Sequence, residues 1–96
     1  MYLRITRGRF DPTAYEQVAS VSQEISAAMR RLPGLQHHHM GIDRTAGTVA
    51  AVSVWDSAEH ARFARETLGA PLERVLALGV QLDPPEIYEI EEESGS

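Results

Sequence analysis

The chain has no cysteine, no lysine and no asparagine, and all nine of its basic residues are arginine. Without cysteine there can be no disulfides, thiolate metal ligands, iron–sulfur clusters or cysteine nucleophiles. Without lysine there is no Schiff-base chemistry and no lysine to serve a phosphate-binding P-loop. No apolar run approaches the roughly 18 residues that a membrane span requires. The first residues, Met1-Tyr2-Leu3-Arg4-Ile5, alternate in character and form no apolar signal core, so no export signal is expected and a cytoplasmic location is the default. Gly-rich phosphate loops, nucleophile elbows and paired catalytic carboxylates are missing too, and neither a cofactor nor a resident metal is expected.

What is present fits one domain, because 96 residues are too few to build two separate cores. The net charge of -5 is unevenly spread. Residues 1–82 carry all nine arginines against eight acids, whereas residues 83–96 carry six acids and no base. The acidity therefore belongs to the C-terminal end, and we divide the chain into a domain over 1–91 and an acidic, solvated tail over 92–96. A nearly neutral body without a basic stripe argues against a nucleic-acid partner.

Residues 2–8 alternate large side chains and predict a strand ending at Gly8. Asp11-Pro12 supplies an N-cap and a proline at the first helical position, and Val18, Val21, Ile25, Ala28 and Leu32 then recur at helical spacing until Pro33-Gly34. A second strand is expected over 35–42, a hairpin turn at Asp43–Gly47 and a third strand over 48–55, apolar on both parities as a central strand would be. Asp56 or Ser57 should cap a second helix carrying Ala61, Ala64 and Leu68 on one face. Gly69-Ala70-Pro71 should break it, with a short helix from Leu72 to Leu78 beyond. Pro84-Pro85 enforces an extended lead-in to a last strand over 86–91.

This β-α-β-β-α-β order is the ferredoxin-like α+β arrangement, a four-stranded antiparallel sheet with helices on one face. Its other face would be left bare and apolar, which a second copy packed sheet against sheet about a two-fold axis would cover. A homodimer through the open sheet face is expected.

Three groups of residues carry candidate chemistry. In His37-His38-His39, side chains alternate, so His37 and His39 share a face with roughly 6.5–7 Å between their α-carbons. They could share a metal ion with His60 or a carboxylate as third ligand, but no recognised ligand spacing accompanies them, and polar lining or interface residues is the better reading. Trp55, the single tryptophan, ends the third strand and reads either as a core or interface anchor or as an aromatic pocket wall, with His60 beside it at the start of the next helix. Arg4 shares a face with Tyr2 and Thr6 on a central strand, where an arginine needs an anionic partner, either an ion pair or an anion held in a cavity that Tyr88 could share. Which parity faces the helices stays open, since Ala50, Val52 and Val54 look like core and so does Trp55.

The element order, the phrase Val54-Trp55-Asp56-Ser57-Ala58-Glu59 at the start of helix two, and Pro84-Pro85 before the last strand together resemble the antibiotic biosynthesis monooxygenase group over roughly residues 2–91. The resemblance implies a dimeric α/β barrel with a pocket between each sheet and its helices. It also implies, for some members, oxygenation of phenolic or quinol-like small molecules without metal or flavin. Haem-degrading members carry an asparagine and a histidine that this chain lacks, with Ala64 and Arg65 at the downstream positions, which argues against haem. In the oxygenase reading, His60 or His39 is the base, Arg4 the oxyanion contact, and Trp55, Tyr88 and His37 line a site for a small aromatic molecule. The alternatives are a non-catalytic barrel that binds an apolar ligand or a protein partner, and a His-rich metal-binding protein.

Overall fold

A computed structural model describes residues 1–92, so the end of the predicted tail, 93–96, lies outside the described residues. Strand β1 covers Tyr2–Arg9, helix α1 Tyr15–Met29, β2 Leu35–Asp43, β3 Thr48–Trp55, α2 Ala58–Ala61, α3 Ala70–Ala77, β4 Gln81–Leu82 and β5 Glu86–Glu89. The ferredoxin-like α+β order is the one expected from the sequence.

The Asp11 carboxylate accepts the Thr13 backbone N–H and caps a 3-10 turn, Pro12–Ala14, that feeds directly into α1. Along α1, Val18, Ser22 and Met29 are buried, while Val21, Ile25, Ala28 and Leu32, the rest of the stripe expected from the spacing, are half-buried against the core. The helix stops at Met29, before Arg30 and Arg31, and tight turns carry the chain to Pro33-Gly34. Gly34 sits at φ +83°, a left-handed conformation that suits glycine.

All pairings in the sheet are antiparallel, in the order β2-β3-β1, with β4 and β5 one after the other along the far edge of β1. The expected fourth strand is thus split in two. Asp83 to Pro85 separates the halves, and neither proline can donate to a ladder. β2 carries an irregularity of its own. Leu35 pairs with Trp55, but the next pair is His37 with Val54, so Gln36 is an extra residue, a β-bulge.

Register settles the parity. Tyr2, Arg4 and Thr6 on β1 and Val49, Ala51, Ser53 and Trp55 on β3 face the helices; Leu3, Ile5, Ala50, Val52 and Val54 face away. Buried Val18, Met29, Leu72 and Val75 from α1 and α3 close over the inner face together with Trp55, Leu68 and Val80. On the outer face the apolar side chains are only half-buried and no helix packs on them.

The second helix differs most from expectation. Ser57, rather than Asp56, caps it, its hydroxyl accepting the His60 N–H, but α2 ends after one turn. A 3-10 turn follows over Arg65–Leu68, and α3 begins at Ala70, with Pro71 inside its first turn instead of breaking a helix. The reason lies across the core: the Ala61 and Phe63 carbonyls accept hydrogen bonds from Arg4 Nη1, at 2.8 and 3.0 Å. A continuing helix would have given the Ala61 carbonyl to the Arg65 backbone N–H.

Candidate functional site

Between the inner sheet face and helices α1 and α3 lies a cavity of about 80 Å³. Its walls are mostly aliphatic, with Val18, Ile25, Met29, Leu68, Leu72 and Val75 from the helical side and Val49 and Ala51 from the sheet. The polar groups are few: Arg4, Thr6, Ser22, His38, Ser53 and Arg65. Apolar walls with a small number of polar groups are the usual composition of a small-molecule site.

Arg4 is the central feature. It is 5% exposed, its Cζ lies 3.9 Å from the centre of the Phe63 ring, and the only hydrogen bonds of its guanidinium among the described residues are those of Nη1 to the Ala61 and Phe63 carbonyls. No carboxylate approaches it within ion-pair distance among the described residues, although Arg7, Arg9, Arg44 and Arg74 all have such partners at the surface. Burial, and then the nearby charge of Arg65, pushes the Arg4 pKa down to about 10, so it remains a cation at neutral pH. Arg65 donates to the Asp83 carbonyl at 2.8 Å and lines the same cavity.

Directly across the sheet, Arg4 pairs with Ser53, and Ser53 pairs with His38 on β2. One rung therefore holds a guanidinium, a hydroxyl and an imidazole, with two strand spacings, roughly 10 Å, between the outer α-carbons. The Ser53 hydroxyl accepts the Trp55 indole N–H at 2.8 Å, which fixes the middle of the rung. His38 Nε2 lies 3.1 Å from Ser26 Oγ on α1, and Nδ1 is buried without a hydrogen-bond partner among the described residues. Burial, with the charges of Arg30 and His39 behind it, holds the His38 pKa below the ordinary histidine value. That shift favours the neutral imidazole, in which one ring nitrogen carries no proton, the form that a general base needs.

Of the six residues to which the sequence gives a site role, only Arg4 lines this cavity. The bulge at Gln36 turns His37 and His39 to the open sheet face, opposite Val54 and Val52, and both are exposed. Tyr88, opposite Leu3, is on that same face, 52% exposed, with its hydroxyl donating to Glu86. Trp55 is fully buried but does not line the cavity; it packs behind Phe63, with ring centres 5.2 Å apart. His60 lies outside it as well, its Nδ1 hydrogen-bonded to the Asp56 carboxylate at 2.7 Å. That bond holds the Asp56 pKa below the ordinary aspartate value. Sequence reasoning missed His38, Phe63 and Arg65. The signal for His38 was the cross-strand rung it forms with Ser53 and Arg4, which needs the register to be seen. No group of three or more His, Cys, Asp or Glu side chains is placed to hold a metal ion among the described residues. No helix among them is long and apolar enough to cross a membrane.

Neither protein-family models nor curated proteins match the chain. Solved structures do. A cofactor-independent oxygenase from Streptomyces nogalater, SnoaB, is similar at a TM-score of 0.69 and 18% identity, over 99% of this chain and 97% of that one. A structure described as an antibiotic biosynthesis monooxygenase aligns over 96% of this chain and 98% of its own, at 14% identity and a TM-score of 0.68. A conserved protein of unknown function from Bacteroides thetaiotaomicron aligns over 93% and 97%, at 17% identity and a TM-score of 0.71. The chain has the fold of the antibiotic biosynthesis monooxygenase-like structures along its whole length.

Proposed function

We propose that this chain is a small oxygenase of the antibiotic biosynthesis monooxygenase type, acting without metal or flavin on an acidic aromatic such as a quinol or anthrone. The observation that carries the reading is the rung beneath the cavity: on the inner sheet face, a buried Arg4 with no carboxylate partner among the described residues, and a half-buried His38. Base and cation serve this chemistry directly. His38 accepts a proton from the bound substrate, and Arg4 stabilises the anion in surroundings where a charge–charge interaction is worth several times its value in water. The electron-rich anion then reacts with molecular oxygen. For an anthrone, a CH₂ becomes a carbonyl, one oxygen atom enters the product and the other leaves as water. The substrate supplies all four electrons and no external reductant is required. Fold alone licenses no activity, and the likeness to the Streptomyces oxygenase supports the reading only alongside the rung.

The test is oxygen uptake by chelator-treated protein with anthrone or a substituted hydroquinone. Uptake above the protein-free rate, cut by about 10²–10⁴ in His38→Ala, supports the assignment. Uptake no faster than without protein points to a binding barrel without turnover, and unchanged uptake in His38→Ala removes the proposed base.

The working unit is proposed to be a homodimer through the open face. Leu3, Ile5, Val52 and Val54 form a contiguous apolar surface there, and a second copy would cover it. His37, His39 and Tyr88 would then be interface residues.

A further inference from the structure

A second space adjoins the cavity at Arg4. A surface groove lined by Arg4, Phe63, Arg65, Glu66 and Pro84 shares Arg4, Phe63 and Arg65 with the cavity wall, so both arginines stand at the junction of the two spaces. Two like charges in one wall repel, and Arg65 contributes to lowering the Arg4 pKa. Nothing in the described chain relieves this. Arg65 spends one donor on the Asp83 carbonyl, and no ion pair involves Arg4, Arg65 or Glu66 among the described residues. Among the described residues, no acidic side chain is spent on either cavity arginine.

We propose that Arg65 is a specificity residue, and that the ligand is an aromatic bearing a permanent carboxylate, held by Arg65 at the groove side while the rest of the molecule occupies the cavity. The proposal rests on the cavity being the site assigned above and adds the substrate class. A single ionising hydroxyl would supply one negative charge for two cations, and that charge belongs beside Arg4. A carboxylate matches the second, because the planar fork of a guanidinium presents paired donors to its two oxygens. The placement is also consistent with solvation. Arg65 is half-buried at the groove, where a fully charged group can keep part of its water, whereas Arg4 lies inside, where only a charge formed in the reaction gains from it. The expected ligand is therefore polar at one end and apolar over its ring.

Anaerobic binding measurements separate this claim from the oxygenase reading. The probes are 2,5-dihydroxybenzoate and its neutral amide, titrated calorimetrically into the intact chain without oxygen. The carboxylate should bind at least about tenfold more tightly than the amide, Arg65→Gln should erase that preference, and Arg65→Lys should keep part of it. Equal affinities in the wild-type chain, or a preference that survives Arg65→Gln, would overturn the proposal. If Arg65→Gln does not fold, the wild-type comparison and Arg65→Lys still decide it. Admitting oxygen afterwards tests the other reading. A carboxylate preference without oxygen uptake keeps the substrate class and removes the oxygenase, and uptake without any preference does the reverse.

Discussion

Replacing Trp55 distinguishes a structural role from a ligand-contacting one. The indole is fully buried, packs against Phe63 at 5.2 Å and donates to Ser53 at 2.8 Å, yet it does not line the cavity. Trp55→Ala removes a large core side chain, a loss of about 3–5 kcal/mol. Against a total stability of about 5–15 kcal/mol for a domain of this size, that is a large fraction. At about 4–8 °C per kcal/mol, the melting temperature should fall by roughly 12–40 °C. Trp55→Phe keeps most of the ring packing and forfeits the indole hydrogen bond, so a cost of about 1–2 kcal/mol is expected. Urea unfolding followed by far-UV circular dichroism measures both without relying on the fluorophore being removed. Ligand affinity in Trp55→Phe should match the parent chain. A Trp55→Phe variant that keeps full stability but no longer binds ligand would refute the reasoning, because it would make Trp55 a cavity wall after all.

Three further outcomes are expected. Gly34→Ala should cost about 1–3 kcal/mol in thermal or urea unfolding, because the residue is at positive φ and a Cβ there would overlap the His60 ring and the Asp56 carboxylate; a neutral result would contradict this packing. The His38 pKa is lowered in the folded state, so the unfolded chain takes up its proton first as pH falls. Stability from this group is complete above the unfolded value of about 6.5 and declines below it. Melting curves from about pH 7.5 down to 5 should therefore slope less in His38→Gln, and an identical slope would show that His38 is not the buried imidazole. Val52→Asp places a charge at the centre of the open face; light scattering should then give a monomer where the parent gives a dimer, and a monomeric parent would sink the dimer itself.

Much of the framework was legible because local patterns set it. The β3 limits 48–55 and the Asp43–Gly47 turn each follow from residues within a few positions of the boundary, whereas α1 ends at Met29, before the Pro33-Gly34 stop that its spacing predicts. What could not be read depends on distant partners. The single turn of α2 makes sense only once Arg4, 57 residues upstream of Ala61, is seen to occupy the carbonyl at its end. The cavity histidine was hidden for a similar reason. Leu35 packs against the core, so unbroken alternation would have turned His37 and His39 inward; the extra residue at Gln36 reverses every side chain beyond it. The parity of β3 was unreadable because both of its faces are apolar, one against the helices and the other toward the open face.

That bulge gives the triple histidine a meaning beyond its count. Were the bulge ironed out by a one-residue slip of β2, the residue opposite Ser53 would be His37 instead of His38. With Gln36 deleted, the strand would alternate regularly and His38 would stay where it is. The imidazole at the end of the Arg4–Ser53 rung is therefore redundant by sequence. A misregistered or shortened strand would still bring an imidazole to the same place, whereas a point substitution at His38 in the native register removes it.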